Sequence, residues 1–259
     1  MKPEEFRDRY GPVALVTGAS SGIGLAIAEE LAARGFDLVL TARRTDRLEA
    51  IAQRLLSKQG VRTWVIGEDL ADPAAPARLL AETEACDIGL VVSNAGFNLK
   101  GGFETKDASA MAKMLIVNCH APMQLAHGFL PRLKKRGQGG IVFTASVEGL
   151  IGCPYSTAYS ASKALVVSLG EGLWGECLDT EVDILTLCPG ATESEATAGM
   201  ESLRNLQPAA EVARLTLDNL QNGPTFIPNE HYRQLFDNLR ASPRREALTG
   251  MAGNMKNLS

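Results

Sequence analysis

The chain reads as an α/β protein built on a doubly wound parallel sheet of about seven strands with helices on both faces. Three observations lead there. Short apolar runs at 13–17, 37–41, 63–68, 88–93, 140–145, 183–188 and 225–227 are near-continuous rather than alternating, as strands covered on both faces require. Helical patterns at 22–34, 46–59, 74–84, 109–136 and 157–178 lie between them, and connections of that length join parallel strands rather than hairpins. The 259 residues, 45% hydrophobic and 22% charged, suit one large α/β domain, so 1–259 is read as a single unit.

Composition removes several classes of function. A formal net charge of −4 offers no broad basic surface for nucleic acid. Five scattered cysteines (Cys86, Cys119, Cys153, Cys177 and Cys188) form no C-x-x-C pair, and His120, His127 and His231 show no metal-ligand spacing. Reduced thiols and no metal are expected. Residues 1–10 are charged and polar, without the apolar stretch of a signal peptide, and no later run reaches about 18 apolar residues. A cytoplasmic protein without stable membrane insertion is the expectation.

Taken in order, the first strand runs directly into Thr17-Gly18-Ala19-Ser20-Ser21-Gly22-Ile23-Gly24, where a helical pattern begins. Glycines here allow a tight turn, close approach of backbone to a pyrophosphate, and helix-on-strand packing. The unpaired N–H groups of the following helix attract anions. Gly18, Ser20, Ser21, Gly22, Ile23 and Gly24 are therefore the expected dinucleotide cradle, a plain turn being the alternative. The second strand ends near Thr41-Ala42, where an NAD site commonly has an acid; Arg43 and Arg44 stand there instead. Arginine grips a 2′-phosphate through charge-assisted hydrogen bonds, so NADP(H) is expected, with Arg43 foremost, against the alternative of a solvated basic turn.

Farther along, Tyr159 and Lys163 are four apart in a helical pattern, which puts both on one face. A nearby ammonium is expected to lower the phenol from its ordinary ~10 toward a usable acid/base range. Ser146 ends the strand at 140–145, where it faces the ligand crevice of an open sheet and can orient a substrate oxygen; an ordinary turn serine is the alternative. Asn118 precedes Pro122 by four residues, and proline cannot donate to the carbonyl of residue 118. That carbonyl is free to hold a water, unless the proline only kinks the helix.

The order Gly-x-x-x-Gly-x-Gly, Asn94-Ala95-Gly96, Ser146, Tyr159-x-x-x-Lys163 and Pro189-Gly190 resembles the single-domain branch of short-chain dehydrogenases/reductases over roughly residues 10–228. The resemblance implies a Rossmann-like fold and assigns further residues to the cofactor. Asp69 and Leu70 would flank the adenine. Asn94, Ala95 and Gly96 would back the cofactor, with Ser93 where the family has a first asparagine. Pro189 and Gly190 would shape the nicotinamide pocket, with Thr192 or Ser194 reaching the carboxamide. Lys163 would also hold the nicotinamide ribose, Asn118 would support a proton-relay water, and the protein would form a homodimer or homotetramer.

The expected activity is NADP(H)-dependent hydride transfer to and from a carbonyl or alcohol substrate, with Tyr159 as general acid/base. A catalytically silent NADP(H)-binding sensor or scaffold, or an epimerase or dehydratase using the same pair, are the rivals. Residues 191–207 read as a substrate loop, with Phe97 and 147–155 completing the pocket. The tail at 229–259 reads as weakly amphipathic helix packing on the body or on a neighbouring subunit.

Overall fold

A computed structural model of the chain describes residues 2–195, 197–198 and 205–256. Positions 196 and 199–204 of the expected substrate loop, and 257–259 of the expected tail, lie outside the described residues.

The seven expected strands are all present, each within one residue of its expected bounds: β1 (Val13–Thr17), β2 (Asp37–Ala42), β3 (Thr63–Gly67), β4 (Ile88–Ser93), β5 (Gly139–Thr144), β6 (Val182–Leu187) and β7 (Thr225–Phe226). They form one sheet in the order β3-β2-β1-β4-β5-β6-β7, and every pairing is parallel. The order reverses between β1 and β4. In open α/β sheets the ligand crevice lies at such a switch point, beyond the carboxyl ends of the strands.

Each face of the sheet carries its own core. On β1, Ala14 and Val16 belong to one cluster and Val13 and Leu15 to the other, the two-residue period of a strand buried on both sides. The first cluster is completed by α2 (Gly22–Ala33), α3 (Thr45–Gln59) and α8 (Ala209–Asp218), through residues such as Ile27, Leu48 and Leu217. The second is completed by α4 (Ala75–Glu82), α6 (Ala121–Arg136) and α7 (Thr157–Glu176), through Leu79, Phe129 and Val166.

Two helices went unread in the sequence. α1 (Pro3–Tyr10) occupies the stretch read as merely charged and polar. Its Phe6 and Tyr10, four apart, are buried, and Phe6 packs edge-on to Phe36 at 5.7 Å. Tyr10 also donates to Asp183 Oδ2 at 2.6 Å, tying the helix to β6. α8 buries Val212, Ala213, Thr216 and Leu217, an i, i+1, i+4, i+5 stripe that the sequence displays.

The stretch expected as one long helix at 109–136 is interrupted. α5 (Ala108–Leu115) passes into a π turn at Ile116–His120 before α6 resumes. The Ala121 N–H reaches back to the Ile116 carbonyl, and Pro122 has no N–H to offer Val117 or Asn118. The widened turn is the local consequence of that proline. In the tail, α9 (Glu230–Ala241) and α10 (Arg244–Lys256) place Phe236 and Ala247 in the second core. Among the described residues, no helix is long and apolar enough to cross a membrane.

Candidate active site

The glycine turn after β1 is shaped for close approach. Gly18 and Gly22 have φ of +66° and +56°, a region that side chains rarely adopt. A Cβ on Gly24 would lie 2.4 Å from the Gly18 carbonyl oxygen, so the helix start can sit against the turn only as glycine. Thr17 locks this turn to the end of β4: its Oγ1 accepts from Asn94 N at 2.9 Å and Ala95 N at 3.0 Å. Asn94 Nδ2 returns a bond to the Thr17 carbonyl at 3.1 Å.

Ser146, Tyr159, Lys163 and Asn118 are brought together around the ends of β4 and β5. Ser146 follows β5 and opens a short 3-10 turn, Val147–Gly149, its Oγ accepting from Glu148 N at 3.2 Å. The buried Lys163 ammonium donates to the Thr144 carbonyl at 2.7 Å and lies 5.7 Å from the centre of the Tyr159 ring. Asn118 is spent as a latch. Its Oδ1 accepts from Phe97 N at 3.1 Å, and its Nδ2 donates to Phe97 O and to Ser162 Oγ, both at 3.0 Å. Ser162 Oγ in turn donates to the Tyr159 carbonyl at 2.7 Å, so one chain of bonds joins the loop after β4 to the helix bearing Tyr159. Gly96 sits tightly against this group on one side: a Cβ there would meet Asn118 Oδ1 at 3.1 Å and Lys163 Nζ at 3.2 Å.

Electrostatics depart from the expected picture. Burial pushes the Tyr159 phenol up from its ordinary value, Glu148 adds to that, and interaction with Ser146 opposes it. Burial instead lowers Lys163 itself to about 8. The physical reason is that both groups are buried, which disfavours phenolate and ammonium alike. Tyr159 is therefore set to hold its proton.

The other expected cofactor residues line the same cavity, of about 1600 Å³: Asp69, Leu70, Pro189, Gly190, Thr192 and Ser194 all border it. Thr192 Oγ1 donates to Gly190 O at 3.2 Å, and Ser194 engages Thr197. Arg43 is exposed and makes no side-chain hydrogen bond or ion pair among the described residues, whereas Arg44 is anchored, donating to Ser20 Oγ at 3.0 Å and Ser21 Oγ at 3.1 Å. Arg44 also pairs with Glu195 at 2.9 Å, and Arg47 reaches the other oxygen of that carboxylate.

Sequence reasoning missed Ser162, Glu195 and Arg47, because no local pattern marks a partner 44 residues away, as Asn118 is from Ser162, or 148–151 away, as Glu195 is from Arg47 and Arg44. It also missed how far the tail enters the site. Leu235, Phe236, Leu239, Met251 and Met255 wall one side of the cavity, and a Cβ on Gly190 would strike the Tyr232 ring at 2.1 Å.

A parallel sheet with its switch point between β1 and β4, and a glycine turn facing a tyrosine-lysine helix across one cavity, defines a Rossmann-like fold of the oxidoreductase kind. The short chain dehydrogenase family model matches residues 12–205, and the chain belongs to the short-chain dehydrogenase/reductase family, oxidoreductases acting on hydroxyl and carbonyl groups. The 7beta-hydroxysteroid dehydrogenase of Clostridium sardiniense is 33% identical over 187 residues, 72% of each chain. Among solved structures, a short-chain dehydrogenase from Sphingobium yanoikuyae in complex with NADPH aligns with a TM-score of 0.82 and 33% identity, over 93% of this chain and 96% of that one. The bulky-bulky ketone specific alcohol dehydrogenase from Comamonas testosteroni aligns at 0.79 and 31%, over 93% and 94%.

Proposed function

We propose that this protein is an NADP(H)-dependent oxidoreductase that interconverts a bulky, largely apolar ketone and its secondary alcohol. The observation that carries the reading is that Ser146, Tyr159 and Lys163 border the same cavity as the glycine turn and Arg43 and Arg44.

The residues present fit a phosphorylated dinucleotide. Glycines at 18 and 24 leave a cradle that Cβ atoms would fill, and two arginines with two serine hydroxyls form an anion-binding donor set beyond β2. A volume of about 1600 Å³ exceeds the several hundred Å³ typical of a single small-molecule pocket, leaving room for substrate beside the cofactor. The cofactor, when bound, supplies or accepts the hydride.

The chain's own residues do the rest. Ser146 orients the substrate oxygen, and Tyr159, holding its proton, donates it to that oxygen on reduction. Lys163 keeps a positive charge beside the phenol, which steadies the phenolate left behind. Asn118 fixes the loop carrying Gly96 against Lys163. The apolar wall from α9 and α10 supports a bulky substrate, in keeping with the hydroxysteroid and bulky-ketone relatives.

Exposed Leu115, Met123 and Leu165 lie on α5, α6 and α7, which supports self-association through these helices; light scattering on the purified protein tests it. Activity is tested by NADPH oxidation with a panel of cyclic ketones. Tyr159→Phe is expected to lower kcat by roughly 100-fold or more, the scale of a lost general acid. Undiminished turnover in that variant would sink the mechanism.

A further inference from the structure

Glu148 is a charged group of the cavity that the reaction above leaves unused. It sits two residues after Ser146 in a turn held at both ends. Its N–H donates to Ser146 Oγ, and Gly149 lies so close to α7 that a Cβ there would meet the Lys163 carbonyl at 2.7 Å. The side chain borders the cavity, yet neither carboxylate oxygen takes a hydrogen bond or joins an ion pair among the described residues, and Oε2 is turned into the protein, away from solvent. Its field falls on three neutral side chains, Tyr159, Cys153 and Tyr232, raising the proton affinity of each.

A buried acceptor without a donor is costly, and natural interiors seldom leave one. Here the carboxylate's other oxygen is not sealed in and the residue lines the cavity, so a group entering the cavity can donate to it. We propose that Glu148 is a specificity-determining residue that accepts a hydrogen bond from a hydroxyl of the substrate itself, so that the preferred substrate is a hydroxyketone, or the corresponding diol, rather than a plain ketone. This rests on Tyr159 and Ser146 being the reacting centre. Because Glu148 follows Ser146 by two residues and its N–H donates to Ser146 Oγ, the recognised hydroxyl stands close to the reacting carbon. A hydroxyl suits the position better than an ammonium, which would have to be stripped of a much more strongly held hydration shell.

The test uses a decalone, its α-hydroxy derivative and its α-dimethylamino derivative, assayed with NADPH. The parent protein is expected to favour the hydroxydecalone over the decalone in kcat/KM by roughly tenfold or more, since a site built for a hydroxyl discriminates against the analogue lacking it. In Glu148→Leu the ratio is expected to fall to about one, and in Glu148→Gln, which keeps one acceptor oxygen, to a few-fold. Being a ratio within one protein, it is insensitive to a general loss of activity. An unchanged ratio in either variant overturns the proposal, as does a parent that turns over decalone without preferring its hydroxy derivative. A preference for the dimethylamino compound replaces the hydroxyl by a cation and overturns it equally. A parent that reduces none of the three overturns the reading of Tyr159 as well.

Discussion

Replacing Asn118 by alanine removes three hydrogen bonds at once from a side chain that is 1% exposed. Ser162 keeps its bond to the Tyr159 carbonyl, so its hydroxyl is not stranded. Phe97 loses partners for both N–H and C=O in partly buried surroundings. Leaving a buried donor or acceptor unpaired costs about 1–3 kcal/mol each, and partial water access favours the low end, so about 2–4 kcal/mol is expected in total. For a chain of this size that corresponds to a fall in Tm of about 4–8 °C. The loop freed by the change carries Gly96, which packs against Lys163 Nζ, so kcat is expected to drop by roughly tenfold or more as the site loses its alignment. Asn118→Asp keeps an acceptor for the Phe97 N–H but turns a carboxylate oxygen on the Phe97 carbonyl, so it is expected to behave no better. Calorimetry and initial rates on one preparation check both effects. A Tm unmoved within 2 °C with kcat within about twofold would refute the latch, because the magnitudes above leave no room for it.

Arg43→Ala is expected to raise the KM for NADPH roughly tenfold and leave that for NADH almost unchanged, the scale of one charge-assisted contact. Glu195→Gln releases Arg44 and Arg47 from their shared carboxylate and is expected to lower the KM for NADPH; an increase would count against the anion site. Lys163, lowered by burial to about 8 from 10.5, holds its proton less tightly folded than unfolded, so its contribution to stability rises with pH between those values, while reductive kcat/KM falls above about pH 8 as the ammonium is lost. Lys163→Arg should remove that inflection from the profile, and a parent rate flat to pH 9.5 would contradict the role of the charge. Burial holds Cys153 and Cys188 at about 12 and raises Cys119 and Cys177, whereas Cys86 is partly exposed. Iodoacetamide at neutral pH is thus expected to label Cys86 first, and rapid labelling of Cys153 or Cys188 in the native protein would show the site to be more open than described.

Much of the architecture was legible because its signals are local. A strand buried on both faces has to be apolar along its length, and the seven runs met that condition. Pro122 announced a disturbed helix because a missing N–H acts on the carbonyls just before it, although the π turn itself was not anticipated. α1 was overlooked because its charged residues mask two aromatic anchors, Phe6 and Tyr10, whose burial depends on Phe36 and Asp183. The spacing of Tyr159 and Lys163 leads one to expect a nearby ammonium that lowers the phenol. Burial reversed it, and burial is a property of everything packed around the pair.

The sequence by itself determined the strand order of the chemistry: a glycine turn, a strand-end serine and a tyrosine-lysine helix, each encoded within a few residues. Only the tertiary structure decided what surrounds them. It made Asn118 a latch to Phe97 and Ser162, brought Glu195 onto Arg44 and Arg47, folded the tail into the cavity wall, and left Glu148 Oε2 without a partner among the described residues. These are contacts between segments far apart in the chain. Whether a buried group finds a partner depends on where the whole chain closes, which no local spacing records.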